Sequence, residues 1–162
     1  MFTIIRDTRE KEGKGYWFDK VEKKCGKKFT VECVGTINKK LDFADYSIEG
    51  LEQYIAIERK GSASELYNNF GTKANRDRFM REIEGMQNIK YKYLVLECSL
   101  DEILSGSYFS RVHPSNVLSQ LQHLEMKNNF HIVYAGNAKA AKKIVYNILR
   151  KAHQYYGESS AK

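Results

Sequence analysis

Tyr54-Ile55-Ala56-Ile57-Glu58-Arg59-Lys60 is an apolar run that ends in a carboxylate and an ammonium two positions apart. Side chains alternate faces along a strand, so Ile55 and Ile57 enter a core on one side while Glu58 and Lys60 emerge together on the other. A carboxylate there suits a hard divalent cation, and a compact ammonium can orient a water or stabilise charge developing on a phosphate. The plainer reading of Glu-x-Lys is a solvated strand end.

Acids at the ends of two other predicted strands decide between these readings. Phe2-Thr3-Ile4-Ile5 leads into Asp7-Thr8-Arg9-Glu10, and the run from Leu41 to Ile48 carries Asp45. If neighbouring strands bring Asp7, Asp45 and Glu58 to one edge of a sheet, three separate acids become one metal site. Magnesium fits such a set, because it keeps several waters and takes one to three carboxylates.

Asp7-x-x-Glu10, Asp45-Tyr46 and Ile57-Glu58-Arg59-Lys60, in this order, resemble the motifs of the XPF-type nuclease domain, a branch of the PD-(D/E)xK endonucleases. The resemblance extends over residues 2 to 152, taking in a basic helix with Arg76 and Phe79, the strand from Lys92 to Glu97 and the strand from His131 to Tyr134. Two positions depart from the family pattern. Ala44 stands where the family has Gly before Asp-Tyr, and Ser64 followed by Glu65 stands where it has an Asp four positions after the Lys.

The resemblance implies a magnesium-dependent endodeoxyribonuclease, with manganese as a substitute, acting on branched or flapped DNA in repair, recombination or replication. Asp45 and Glu58 are then the main metal ligands. Asp7 joins them, Glu10 completes or adjusts the site, and Lys60 positions or activates the water. Arg59 falls on the Ile55 and Ile57 face, which implies a structural pairing with an acid beneath the site. Tyr46 supports the neighbouring loop. The second reading is a catalytically silent subunit that holds DNA or a partner, and intact Asp7, Asp45, Glu58 and Lys60 weigh against it. An RNA-directed or sequence-specific nuclease of the wider superfamily is a third.

Composition agrees with a polyanionic partner. Twenty-seven Lys and Arg against twenty acids give a net charge of +7. Arg76 and Arg78 on the helix after the Glu-Arg-Lys motif, and Lys139 and Lys143 on the closing helix, are the candidate DNA contacts. A second basic cluster runs through Lys20, Lys23, Lys24, Lys27 and Lys28. Eleven tyrosines are available to stack on bases, although most alternate with aliphatics and read as packing. Family members usually carry helix-hairpin-helix repeats that supply DNA grip and dimerisation. Without them the expectation is a weak DNA binder, a homodimer or the nuclease arm of a complex with a partner protein, and the short stand-alone form resembles those of bacteria and their phages.

Three cysteines without a CxxC spacing exclude a zinc site and a disulfide framework, and four scattered histidines offer no metal set. No apolar run approaches eighteen residues and the N-terminus has no signal-peptide pattern, so a cytoplasmic setting is expected. With 162 residues, 42% of them hydrophobic, and one proline, the chain reads as a single domain over 1–156 with a flexible tail over 157–162.

The order of patterns predicts an α/β fold of the restriction-endonuclease type, a central mixed sheet of about six strands with helices on both faces. Strands are expected near 2–6, 29–36, 45–49, 54–60, 91–98 and 131–135, and helices near 63–70, 75–88, 114–127 and 137–156. The early strands are expected as antiparallel neighbours and the later ones as parallel additions. In the closing helix, Ala141, Ile144, Ile148 and Ala152 form the expected apolar stripe.

Overall fold

The run 55–60 is buried on both faces, with only Arg59 half-buried, so it cannot be an edge strand. A computed structural model describes residues 1–11, 13–106 and 110–157. Its elements are β1 (Phe2–Arg6), β2 (Val21–Cys25), β3 (Lys28–Asn38), β4 (Tyr46–Ile48), β5 (Ile55–Lys60), α1 (Ala63–Gly71), α2 (Lys73–Gly85), β6 (Tyr91–Leu96), α3 (Leu100–Leu104), α4 (Pro114–Asn128), β7 (Phe130–Tyr134) and α5 (Ala138–Tyr156). The tail expected over 157–162 lies, beyond Gly157, outside the described residues.

The strands form one mixed sheet in the order β2-β3-β1-β4-β5-β6-β7. Period-two alternation divides its side chains between two cores. Ala56, Leu94 and Leu96 meet Leu66, Phe79, Ile83 and Leu121 from α1, α2 and α4. Ile4, Ile48, Ile57 and Val95 meet Val145 and Leu149 of α5 on the other face. Each fully buried aliphatic side chain contributes about 1.5–3 kcal/mol, so both layers of helices are held chiefly by this apolar contact.

The expected mixed sheet with helices on both faces is present, and several details differ. The sheet has seven strands, because Val21–Cys25 forms an edge strand whose last four residues are exposed. Such a strand has no buried alternation to read. Its lysines, expected as a basic cluster, discourage edge-to-edge pairing.

Pairing among the early strands is antiparallel, as expected, except between β1 and β3. β1 runs parallel to β3, with Ile4 opposite Thr36, and antiparallel to β4, with Ile5 opposite Ser47. The segment between β1 and β3 includes β2 and is long enough for the crossover that parallel pairing needs. β5, β6 and β7 are mutually parallel, as expected.

The stripe on α5 is rotated. Ala141, Val145, Leu149 and Ala152 are buried, and Ile144 and Ile148 flank them half-buried. α2 starts earlier than expected, at Lys73, because the Thr72 side chain accepts from the Asn75 N–H. The short α3, absent from the sequence reading, is fixed by a capping box of Ser99 and Glu102. Among the described residues no helix is long and apolar enough to cross a membrane.

Candidate active site

Antiparallel pairing of β1, β4 and β5 brings the end of β1, the start of β4 and the end of β5 to one edge of the sheet. Arg6 lies opposite Tyr46, and Tyr46 opposite Ile57. Backbone bonds continue the registration into the motif residues. Asp7 N–H donates to the Asp45 carbonyl at 2.8 Å, and Asp45 N–H to the Ile57 carbonyl at 3.0 Å. The Asp45 carboxylate accepts from the Arg59 N–H at 2.7 Å, which ties one acid to the strand that carries the next.

Ala44, in the family's Gly position, adopts φ 71°. This left-handed conformation, which glycine adopts freely, costs an alanine about 1 kcal/mol.

Glu58 and Lys60 project together from the face of β5 that carries Ala56. They are buried, which rules out the solvated strand end. Lys60 Nζ donates to Glu58 Oε1 at 3.1 Å and lies 5.0 Å from the centre of the Phe79 ring. Burial and the nearby Glu58 charge raise the Asp45 pKa well above its ordinary value, and burial raises that of Glu58 despite the opposing pull of Lys60. Burial lowers the Lys60 pKa, but Glu58, Glu65 and Asp45 outweigh it and the net shift is upward. Lys60 is therefore an ammonium at neutral pH, suited to donating a hydrogen bond and unsuited to removing a proton.

Arg59 points to the opposite face, as alternation requires. Its guanidinium meets Glu10 at 2.7 Å and Glu97 at 3.1 Å, all three side chains being nearly withdrawn from water. Glu97 also accepts from the Tyr16 hydroxyl, and Tyr46 Oη accepts from the Tyr16 N–H at 2.6 Å. Glu10 is thus spent on Arg59, in a network under the end of β5. Tyr46 is fully buried, stacks on Tyr16, and anchors the loop after Glu10.

Asp7 is spent as well. Its carboxylate accepts from Arg9 Nε at 2.6 Å, from the Arg9 N–H at 2.9 Å and from the Leu41 N–H at 2.6 Å. Burial alone would raise its pKa, but these bonds outweigh burial and hold it below the ordinary value. Among the described residues, no three or more His, Cys, Asp or Glu side chains form a group that could hold a metal ion. The expected triad of Asp7, Asp45 and Glu58 is therefore not assembled in this arrangement. Asp45 and Glu58 remain as a donor pair. A half-buried and a buried carboxylate, with the Glu58 charge raising the proton affinity of Asp45, fit a hard cation, which offsets that charge and retains waters at its other positions.

Glu65 is a helix-cap residue. Its backbone N–H donates to Ser62 Oγ, and its side chain accepts from the Gly61 N–H at 2.8 Å. Ser64 makes no contact with the motif residues among the described interactions.

Arg76 lies away from the carboxylates. It donates to the Phe70 carbonyl at 3.1 Å and lines a separate cleft of about 440 Å³ with Arg111 and Asn116. Arg78 is exposed and donates to Asn75. Lys139 lines a cleft of about 730 Å³ that reaches Arg59, Gly61 and Glu65. Lys143 is exposed and lies outside it.

The sequence reading missed Arg9, Glu82, Glu97 and Tyr16. Arg9 binds Asp7 and feels the charges of Glu82 and Asp45, while Glu82, on α2, also acts on Glu58. Their one sequence signal was proximity to a motif, as with Arg9 between Asp7 and Glu10 and Glu97 at the end of an apolar strand.

Residues 7–148 match the model of the ERCC4 domain family. No curated protein sequence matches the chain. Among solved structures, XPF from Aeropyrum pernix superposes with a TM-score of 0.63 at 13% identity, covering 91% of this chain and 65% of that one. XPF from Aeropyrum pernix in complex with DNA gives a TM-score of 0.65 at 12% identity, covering 95% of this chain and 66% of that one. The chain thus spans about two thirds of the length of the structures it matches. With motifs, sheet and family match in agreement, the chain belongs to the ERCC4 domain family and has the XPF-type nuclease fold.

Proposed function

We propose that this chain is a metal-dependent DNA endonuclease acting on branched or flapped DNA. The observation that carries the proposal is the half-buried Asp45 beside the buried Glu58, with a protonated Lys60 bonded to Glu58, at the sheet edge where β1, β4 and β5 converge. The family and the net charge of +7 support a nucleic-acid substrate.

Asp45 and Glu58 would hold Mg2+ or Mn2+, which when bound polarises a phosphate and lowers the pKa of a water. The protein's own contribution is positional and electrostatic. Lys60 offers a fixed N–H donor to an oxygen arriving beside Glu58, in a buried setting where such a bond counts for more than in water. The Arg59 network fixes the end of β5, so the Glu58 and Lys60 side chains keep their aim.

One observation favours a second reading, a catalytically silent subunit that holds DNA or a partner. Arg9 closes over Asp7, so that carboxylate is engaged before any metal arrives. Cleavage of labelled flap, fork, four-way-junction, duplex and single-stranded DNA, and of RNA, with Mg2+ or Mn2+ separates the two. Metal-dependent cutting by the wild type that Asp45→Asn abolishes is the expected result. DNA binding without cutting on any substrate would establish the silent subunit.

A further inference from the structure

The only tryptophan in the chain, Trp17, is 47% exposed between two buried aromatics, Tyr16 and Phe18. The ring pairs that its neighbours make do not include it. Its exposure is held in place from both sides. Tyr16 N–H is bonded to Tyr46, and Phe18 N–H donates to Thr36 Oγ1 at 2.8 Å. The Arg6 guanidinium holds the carbonyls of Lys11 and Lys14 at 2.9 and 2.8 Å. Gly15, at φ 75°, lets the loop press down, since a Cβ there would collide with the Tyr46 hydroxyl and the Glu10 side chain. A large apolar ring is thus presented to water on a rigid mount.

Trp17 lines a cleft of about 640 Å³ with Arg6, Thr8, Lys14 and Asn38. Across a shared wall of Lys14, Gly15 and Tyr16 lies the cleft of about 730 Å³ that contains Gly61, Lys139 and Lys142. Thr8 follows Asp7 and Gly61 follows Lys60 in the chain, so the two clefts open at the same end of the sheet as the candidate site, on the face that carries the Arg59 network. The acids lining them are already engaged, Glu10 and Glu97 by Arg59 and Glu65 by the Gly61 N–H. Lys14, Lys139 and Lys142 make no ion pair among the described residues.

A fixed ring face beside uncompensated ammonium groups matches an unpaired nucleotide, whose base has a π face and whose phosphates are anionic. Resting on the nuclease reading above, we propose that an unpaired nucleotide flanking the cut stacks on Trp17 while its neighbouring phosphates meet Lys14, Lys139 and Lys142.

Trp17 is its own reporter. Its fluorescence is titrated with an oligo(dT) of about ten nucleotides, within the usual site size for such strands. The buffer contains EDTA so that nothing is cut, and anisotropy of the labelled oligonucleotide is followed in parallel. The proposal expects saturable quenching. Trp17→Ala should weaken binding roughly 10-fold, with Trp17→Phe close to wild type, as loss of one base stack predicts. Lys139→Ala with Lys142→Ala should lower the slope of log affinity against log salt by about 0.7 per lysine. Binding by anisotropy with unchanged fluorescence and full affinity in Trp17→Ala would overturn this subsite and leave the DNA reading standing. No binding of any DNA would defeat both. A fluorescence change that follows protein concentration without DNA would assign Trp17 to a contact between copies and overturn the proposal.

Discussion

Arg59 and Glu10 are bonded at 2.7 Å on the face of β5 opposite Glu58 and Lys60. Removing the guanidinium strands two buried carboxylates, Glu10 and Glu97, beside each other. Arg59→Ala should therefore cost about 3–5 kcal/mol, the range for breaking a buried pair by removing one partner. Urea denaturation measures it. A loss under about 1 kcal/mol would mean that the network is solvated and contributes no more than a surface pair.

Asp45 and Glu58 carry the opposite energetic sign. Their folded pKa values lie above the ordinary 3.8 and 4.5, so between those values and the folded ones the folded chain binds more protons than the unfolded chain. In the metal-free protein, the pair's contribution to stability falls as pH rises through that window. Asp45→Asn, which removes one charge and keeps an oxygen for the Arg59 N–H, should raise metal-free stability at neutral pH by on the order of 1 kcal/mol while abolishing cutting. Thermal unfolding at pH 5 and pH 8 in EDTA tests the sign. An equal or lower midpoint in the variant at pH 8 would show that the carboxylate is not strained.

Metal addition should reverse that strain. At a concentration near 100 times its Kd, Mg2+ or Mn2+ should stabilise the wild type by about 2.7 kcal/mol and leave Asp45→Asn nearly unmoved. Thermal shift against metal-free and EDTA controls reads the difference. Equal stabilisation of both proteins would place the cation elsewhere.

Asp7 should behave as a structural acid whatever else it does. Its lowered pKa contributes stability above 3.8 that is lost as pH falls through the folded value. Asp7→Ala leaves the buried Leu41 N–H without its acceptor and should cost about 2–4 kcal/mol. Unfolding of Asp7→Ala beside Asp45→Asn at pH 7 should move the two midpoints in opposite directions.

Ala44 tolerates its φ of 71° because its side chain is a single methyl. A β-branched residue is strained there, and the site is buried. Ala44→Val should lose about 2 kcal/mol or more and misplace Asp45, so activity and stability fall together. Retention of both would mean that the segment 42–45 relaxes without moving the ligand.

Local alternation within one strand determined much of this protein. The sequence places Ile55, Ile57 and Arg59 on one side of β5 and Glu58 with Lys60 on the other, because side-chain direction there depends only on position parity. The apolar runs of β5 and β6 were legible in the sequence, as was the order of the motif acids. Tertiary structure decided how those acids divide. Glu10 goes to Arg59, 49 residues away, and Asp7, besides its neighbour Arg9, goes to Leu41, 34 residues away, so neither full assignment is visible in a local pattern. The same holds for β2, which buries almost nothing, for the parallel pairing of β1 with β3, and for the rotation of the α5 stripe. Carboxylates of one chemical type become candidate ligand, strut or cap according to which donors the fold brings beside them, and that depends on long-range packing.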